Sequence, residues 1–193
     1  MSMDMVYLLE CQQALGMRNN AISHGHISAS SQFDADHAPF HGRLRFKEGA
    51  GCWSPSSIDA NQWLQVDLGS IYTKVTCVAT QGRHSQNQWV TKYKLQYGDD
   101  GVNFQIYTEN EQSADKEFAG NTDKASIVKN DLNPPIISRY IRFLPIAWHD
   151  HISMRVELYG CIGIVANRSS RQALPGISTS DFDSDVGLLT CRT

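Results

Sequence analysis

Hydrophobic and polar residues alternate in several short runs through the middle of the chain. Leu64, Val66 and Leu68 alternate with polar neighbours, which is typical of a strand with one buried face. A longer apolar run at residues 74–81 is typical of a more fully buried strand. Runs of this kind predict seven strands, at residues 62–68, 74–81, 91–97, 103–107, 125–128, 139–144 and 154–159.

Turn residues separate these runs. Gly69-Ser70, residues 98–101, Gly120-Asn121 and residues 133–135 are rich in Gly, Asp, Asn and Pro, which favour turns. We find no sustained helical periodicity and no internal repeat. Short strands at such spacing predict an all-β sandwich or barrel.

The pattern divides the chain into three parts. Residues 11–161 form the patterned domain, residues 1–10 a flank, and residues 162–193 a tail rich in Ser, Gly and Asp. Little periodicity in the tail predicts a flexible segment. Asn167 begins an Asn-Arg-Ser sequence, which is a glycosylation acceptor if the chain is secreted.

Composition narrows the functional classes. The chain has 193 residues, 41% of them hydrophobic and 19% charged, with a net charge of -3. These values are ordinary for a folded domain and argue against general affinity for nucleic acid. No apolar run reaches the roughly 20 residues of a transmembrane helix, and residues 1–10 lack the features of a secretory signal peptide.

Five cysteines bear on the cellular compartment. Cys11 and Cys161 bracket the patterned domain, and a bond between them would stabilise it by roughly 4–5 kcal/mol in the chain-entropy model. Cys52 and Cys77 are a plausible second pair, which would leave Cys191 unpaired. The alternative is that all five are buried free thiols, as in a cytosolic protein.

A series of motifs in a fixed order resembles a known family, the discoidin domain, which is also the C-type domain of coagulation factors V and VIII. The resemblance covers residues 11–161 nearly end to end. The motifs are Leu15-Gly16-Met17, Ile27-Ser28-Ala29-Ser30-Ser31, Gly42-Arg43-Leu44, Trp63-Leu64-Gln65-Val66-Asp67-Leu68-Gly69, Thr80-Gln81-Gly82-Arg83, Trp89-Val90-Thr91, Gly120-Asn121-Thr122-Asp123, Pro134-Pro135-Ile136, Arg139-Tyr140-Ile141-Arg142 and Arg155-Val156-Glu157-Leu158-Tyr159-Gly160-Cys161.

The resemblance implies an eight-stranded jelly-roll-like barrel with protruding binding loops, closed by the Cys11–Cys161 bond. It also implies a secreted, non-enzymatic module. Members of the family commonly have a glycine at the position of Cys77 and a small residue at that of Cys52. Two unusual cysteines together therefore favour the Cys52–Cys77 bond.

The protruding loops implied by the resemblance are residues 31–42, 46–52 and 82–88. Exposed aromatic side chains beside charged groups are what a recognition surface needs. The candidate ligand-binding residues are Phe33, Asp34, His37, Phe40, Phe46, Lys47, Arg83, His84, Asn87 and Trp148.

The family resemblance leaves several ligands open. A cell-surface or matrix glycan or protein is our first expectation, with an anionic phospholipid head group and collagen as alternatives. Asp34 and Asp36 would repel an anionic membrane, and Ala50 stands where collagen-binding relatives carry an acidic residue. We expect no catalytic site, no metal site and no cofactor, although a calcium ion is an alternative because some relatives hold one.

Overall fold

Two antiparallel β-sheets carry the fold in the computed structural model, which describes residues 11–109 and 114–162. Three short 3-10 turns lie at His24–His26, Ala35–His37 and Pro39–Gly42. In chain order the strands are β1 (Gln13–Ala14), β2 (Ile27–Ala29), β3 (Leu64–Asp67), β4 (Thr73–Gln81), β5 (Trp89–Gly98), β6 (Gln105–Ile106), β7 (Phe118–Ala119), β8 (Val128–Ile137), β9 (Tyr140–His149) and β10 (Arg155–Ile162).

The strands belong to two separate hydrogen-bonded sheets. One sheet has the order β1-β10-β4-β8, and the other has β2-β3-β9-β5-β6, with β7 paired to β5. The all-β, jelly-roll-like class is thus confirmed. The sheets are not closed into a single barrel, because the facing edges do not pair with each other among the described residues.

The core lies between the two sheets and is built from alternate residues of facing strands. Val66 and Phe143 come from one sheet, and Val78 and Leu158 from the other, and all four are fully buried. Burial of one such side chain contributes roughly 1.5–3 kcal/mol relative to its exposure. The alternation seen in the sequence therefore marks the inner face of each strand.

Strand β8 is the main departure from the predicted elements. Residues 133–135 were expected to form a turn, but they lie inside β8. This is tolerated because β8 is at the edge of its sheet, where a proline need not donate to a ladder. The pairing with β4 also shifts between Val75 and Cys77, which leaves the two prolines outside the paired positions.

The predicted Cys11–Cys161 disulfide is present. It joins two residues 150 positions apart. Cys11 precedes β1, and Cys161 lies in β10, the strand that pairs with β1. The bond therefore fastens the start of the domain to its last strand, as the family resemblance implied.

The predicted Cys52–Cys77 bond is wrong, because Cys52 is a buried free thiol. Cys52 precedes Trp53, which pairs with Met154, whereas Cys77 pairs with Tyr159. Met154 and Tyr159 are five residues apart, which is about 16 Å of extended chain. Cys52 and Cys77, which lie next to these two positions, are therefore too far apart for a disulfide. Cys52 instead contacts the Ser54 hydroxyl at 3.4 Å.

Some of the sequence predictions lie outside the described residues. They are the flank at residues 1–10, nearly all of the tail at 162–193, the glycosylation acceptor Asn167 and the prediction for Cys191. Within the described residues, no helix has the length and hydrophobicity to cross a membrane.

The contribution of the Cys11–Cys161 disulfide to stability can be measured with the free thiol Cys52 as the control site. We expect Cys11→Ser/Cys161→Ser to lower the free energy of unfolding by roughly 4–5 kcal/mol, because the unfolded chain regains its loop entropy. Cys52→Ser is the control and should change it little, because a serine hydroxyl can keep the contact with the Ser54 hydroxyl. Urea denaturation measures both values, and an equal loss in both variants would contradict the account.

Candidate functional site

Three connections between strands meet at one end of the sheets. Residues 30–63 between β2 and β3 contain the first and second predicted loops (31–42 and 46–52), residues 82–88 between β4 and β5 are the third predicted loop, and residues 150–154 connect β9 to β10. Strands β4 and β9 both run toward this end, and β5 and β10 run away from it. We call it the loop end. The opposite end carries the β3–β4 turn and residues 99–103.

Phe33 is the most exposed aromatic residue of the loop end. Its side chain is 59% exposed. Its backbone N–H donates to the Ser54 carbonyl oxygen at 2.9 Å, which fixes the chain beneath the ring. The rings of His37 and His151 contact Phe33 edge-on, with centroid distances of 5.3 and 6.0 Å. An exposed ring between two imidazoles thus forms the tip.

Asp34 shapes the turn that follows Phe33. Its carboxylate accepts a hydrogen bond from the Asp36 N–H and lies 2.6 Å from His37 Nδ1. The hydrogen bond with His37 lowers the pKa of Asp34 below 3.8 despite a smaller opposing effect of desolvation. His37 is buried and Asp34 is exposed, so the Asp34 carboxylate lies at the surface near the Phe33 ring.

Phe40 and Phe46 belong to a stack of rings beside the tip. Phe40 stacks on His24 at 4.2 Å and contacts His41 edge-on at 4.3 Å. His41 in turn stacks on Phe46 at 4.7 Å. Both phenylalanines are half-buried. The stack therefore joins the first two loops. Of the three predicted aromatic anchors, Phe33 is the most exposed to solvent.

Arg83 braces two loops. Its Nε donates to the Ala50 carbonyl oxygen at 3.2 Å, and its Nη1 donates to Gln88 Oε1 at 2.9 Å. Gln88 also accepts from Ser153 and donates to Asp150. Arg83 thus meets a backbone carbonyl, the Gln88 amide and the Ser85 hydroxyl, and no carboxylate within the described chain.

A glycine allows the second and third loops to meet. Gly51 has φ of 70°, and a Cβ atom there would lie 2.6 Å from the Cβ of His84. The His84 N–H donates to the Gly51 carbonyl oxygen at 3.1 Å. Any other residue at this position would be strained and would push the loops apart.

The remaining predicted residues are spread over the same end. His84, Asn87 and Lys47 are exposed, and Trp148 is half-buried against the core next to its β5 partner Val90. The loop end thus brings together Phe33, Asp34 and His37 in one cluster. Lys47 and His84 line a separate cavity, and Trp148 packs on the core.

The sequence analysis gave no role to Arg155, whose guanidinium connects the bases of several loops. Its three guanidinium nitrogens donate to the carbonyl oxygens of Gly82, Phe46 and Lys124, at 2.6, 2.9 and 3.2 Å. It is only 2% exposed. Alternation along β10 places Arg155 on the outer face of its sheet, which is the one signal that the sequence offered.

Comparison with known proteins bears on this arrangement. The family model for the F5/8 type C domain matches residues 26–158. The chain belongs to the F5/8 type C domain family. Lactadherin of Rattus norvegicus is 40% identical over 159 residues, which are 78% of this chain and 36% of that protein. Coagulation factor V of Sus scrofa is 40% identical over 157 residues, which are 78% of this chain and 7% of that protein.

Solved structures agree with the F5/8 type C assignment. Discoidin II of Dictyostelium discoideum matches with a TM-score of 0.63 and 34% identity, over 72% of this chain and 55% of that one. A family 32 carbohydrate-binding module of Clostridium perfringens NanJ, solved with galactose, matches with a TM-score of 0.53 and 19% identity, over 77% and 98% of the two chains. The second likeness shows the fold alone.

The F5/8 type C domain is a non-catalytic binding module, and this chain is accordingly a binding module. It spans about a third of the length of the lactadherins that it matches. Within the described residues, no three His, Cys, Asp or Glu side chains converge as metal ligands. The calcium alternative stays a prediction.

The Asp34–His37 pair gives a pH-dependent prediction. The pKa of Asp34 is lower in the folded chain than the ordinary 3.8, so its stabilising contribution is present above about pH 4 and is lost as the pH falls through the folded-state value. We expect His37→Ala to raise the pKa of Asp34 toward 3.8. Carboxyl carbon-13 NMR titration measures this pKa.

Asp100 is the internal control for that titration. The backbone N–H groups of Val102 and Asn103 lower its pKa to about 2, and these bonds lie at the opposite end of the domain. Its midpoint should be the same in both proteins. An unchanged Asp34 midpoint in His37→Ala would contradict the described pair.

The Arg83 brace gives a second prediction. Arg83→Ala removes the bonds to Ala50 and Gln88, and we expect the free energy of unfolding to fall by about 1–2 kcal/mol. Hydrogen exchange at the His84 amide should accelerate, because the two loops lose their connection. Leu95 in β5 is the reference, because its buried amide should accelerate only by the loss of global stability. An acceleration at His84 no larger than that at Leu95 would argue against a local brace.

Proposed function

We propose that the chain is an extracellular recognition module that binds a carbohydrate of the cell surface or matrix at the loop end. The observation that carries this proposal is Phe33, a 59% exposed ring with a fixed backbone and polar neighbours. An aromatic face packs against the C–H groups of a sugar ring, while neighbouring polar groups bind its hydroxyls.

The polar groups around Phe33 suit sugar hydroxyls. The Asp34 carboxylate accepts hydrogen bonds, and the imidazoles of His37 and His151 flank the ring. These groups are held by contacts within the loops, so little order has to be gained on binding. The structure of the carbohydrate-binding module from NanJ, solved with galactose, has the same overall fold, which is compatible with this proposal.

A lipid surface is less well supported as the ligand. Membrane insertion needs apolar side chains at the tips and favourable charge. Phe33 is the one exposed phenylalanine of these loops, and Asp34 and Asp36 follow it in exposed positions. Two carboxylates beside the single wedge would repel an anionic bilayer.

Collagen is also less well supported. The resemblance to collagen-binding relatives requires a carboxylate to face Arg83 from the second loop. Here Ala50 occupies that position, and its carbonyl oxygen accepts from Arg83. The guanidinium is therefore engaged in bracing the loops.

The extracellular location rests on the disulfide. The Cys11–Cys161 bond forms and persists in oxidising compartments. Secretion is compatible with the similarity to lactadherin and coagulation factor V.

Alanine at Phe33 tests the proposal. We expect Phe33→Ala to weaken binding to a carbohydrate identified on a glycan array by about tenfold or more, because the sugar loses its apolar platform. Tyr72→Ala is the matched control, since Tyr72 is 50% exposed but lies at the opposite end. It should bind like the unmodified chain.

Binding of the same proteins to phosphatidylserine vesicles and to immobilised collagen is measured beside binding to the carbohydrate. Loss of vesicle binding in Phe33→Ala, without any carbohydrate binding by the unmodified chain, would replace the proposal by a membrane function. Carbohydrate binding that survives Phe33→Ala but not Tyr72→Ala would place the site at the other end of the domain.

A further inference from the structure

A large basic cavity lies beside the loop end, on the outer face of the β1-β10-β4-β8 sheet. Its volume is about 1280 Å³, and Phe33 is not among its lining residues. Gln81 of β4 and Arg155 of β10 form part of it, with residues from four other segments around them. The basic residues that line it are Arg18, Arg43, Arg45, Lys47, Lys124 and Arg155.

The charge of this cavity is unbalanced. Six of the described residues that line the cavity are arginine or lysine, and Glu48 is the one acidic residue of that lining. Within the described residues, none of the six forms an ion pair. The whole chain has a net charge of -3. The cavity is therefore a local basic region on a protein that is acidic overall.

Arg155 is a buried cation that has no carboxylate partner among the described residues. All its described hydrogen bonds go to neutral carbonyl oxygens. Burial lowers its pKa to about 10, which shows that the charged form is disfavoured by lost solvation. A buried charge is costly unless an opposite charge compensates it. An anion in the cavity would supply that compensation.

Arg43 lies beneath the cavity and is 1% exposed. Its Nη1 donates to the Met17 carbonyl oxygen at 2.9 Å, while Nε and Nη2 have no partner among the described residues. The Glu157 carboxylate acts on it through space, but that carboxylate also accepts from the N–H groups of Met17 and Arg18. Arg43 thus adds a partly compensated charge below the floor.

Arg45 extends over the same cavity from a strained backbone. Its φ is 65°, in the left-handed region that side chains rarely adopt. The conformation is held because its N–H donates to Gln81 Oε1 at 3.1 Å, and Gln81 donates in turn to the Ala125 carbonyl oxygen at 2.6 Å. The backbone from which the exposed Arg45 side chain extends is therefore fixed beside the cavity.

We infer that this cavity is a second binding site, separate from the Phe33 tip, and that it takes a sulfated oligosaccharide. Its cations come from several chain segments spread around a cavity much larger than one anion. A chain with repeated sulfate groups can pair with several of them at once, through charge-assisted hydrogen bonds from arginine.

The lining favours a glycan over a membrane. Its apolar residues are Leu44, Phe46, Ala125 and Ile127. Leu44 is buried, and Phe46 and Ile127 are half-buried. None of these large apolar side chains is exposed as a wedge for hydrocarbon. A polar polyanion lying along the outer face of the sheet fits this surface better.

Calorimetric titration of the full chain with a heparin-derived oligosaccharide tests the inference, with the desulfated oligosaccharide in parallel. Arg45→Gln/Lys124→Gln removes two lining charges, and only the backbone of Lys124 is used by Arg155. We expect binding at physiological salt to weaken about tenfold in this variant, and desulfation to abolish it in the unmodified chain.

Lys74→Gln/Lys92→Gln is the matched control, because it removes the same charge from exposed positions outside the cavity. It should bind the sulfated oligosaccharide like the unmodified chain, as should Phe33→Ala. Thermal unfolding of both double variants establishes that they fold. Arginine Nε–H resonances of the unmodified chain should shift on titration with the oligosaccharide.

Three results would overturn the inference. The first is that the sulfated oligosaccharide does not bind at physiological salt. The second is that both double variants lose affinity equally, which would mean that only net charge matters. The third is that phosphatidylserine vesicles bind through Arg45 and Lys124 while the oligosaccharide does not, which would make a lipid head group the ligand of the cavity. None of these outcomes bears on the carbohydrate proposed for Phe33, whose loss is measured by a separate variant.

Discussion

One buried guanidinium connects the segments that build the loop end. Arg155 donates to the carbonyl oxygens of Phe46, Gly82 and Lys124, which belong to three different loops. Arg155 itself is carried by a strand whose far end is fastened by the Cys11–Cys161 bond. Arg155 therefore joins the bases of three loops at the place where they border the cavity.

This anchoring explains how loops without regular structure can present a defined surface. Arg155 fixes their bases, Arg83 joins the second and third loops, and the Phe33 N–H is held by Ser54. A surface ordered in advance loses less conformational entropy when it binds. The chain therefore has two kinds of surface, an aromatic tip with a carboxylate at the loop end and a basic cavity beside it.

Much of the fold could be predicted from the sequence because strand alternation and the order of motifs are local signals. The Cys11–Cys161 bond and most long strands follow from them. The Cys52–Cys77 bond could not be judged, because strand register sets the distance between two cysteines and register is not visible in the sequence. The basic cavity was missed for a similar reason, since Arg18, Arg45 and Lys124 meet only after folding.

Chemical-shift mapping of the nitrogen-15-labelled chain, titrated with a carbohydrate that it binds, tests the central claim most directly. The account predicts that the largest shifts fall at Phe33, Asp34 and His37 and at His151, with none in the β3–β4 turn. Shifts concentrated at Ile71 and Tyr72, at the opposite end of the domain, would contradict it.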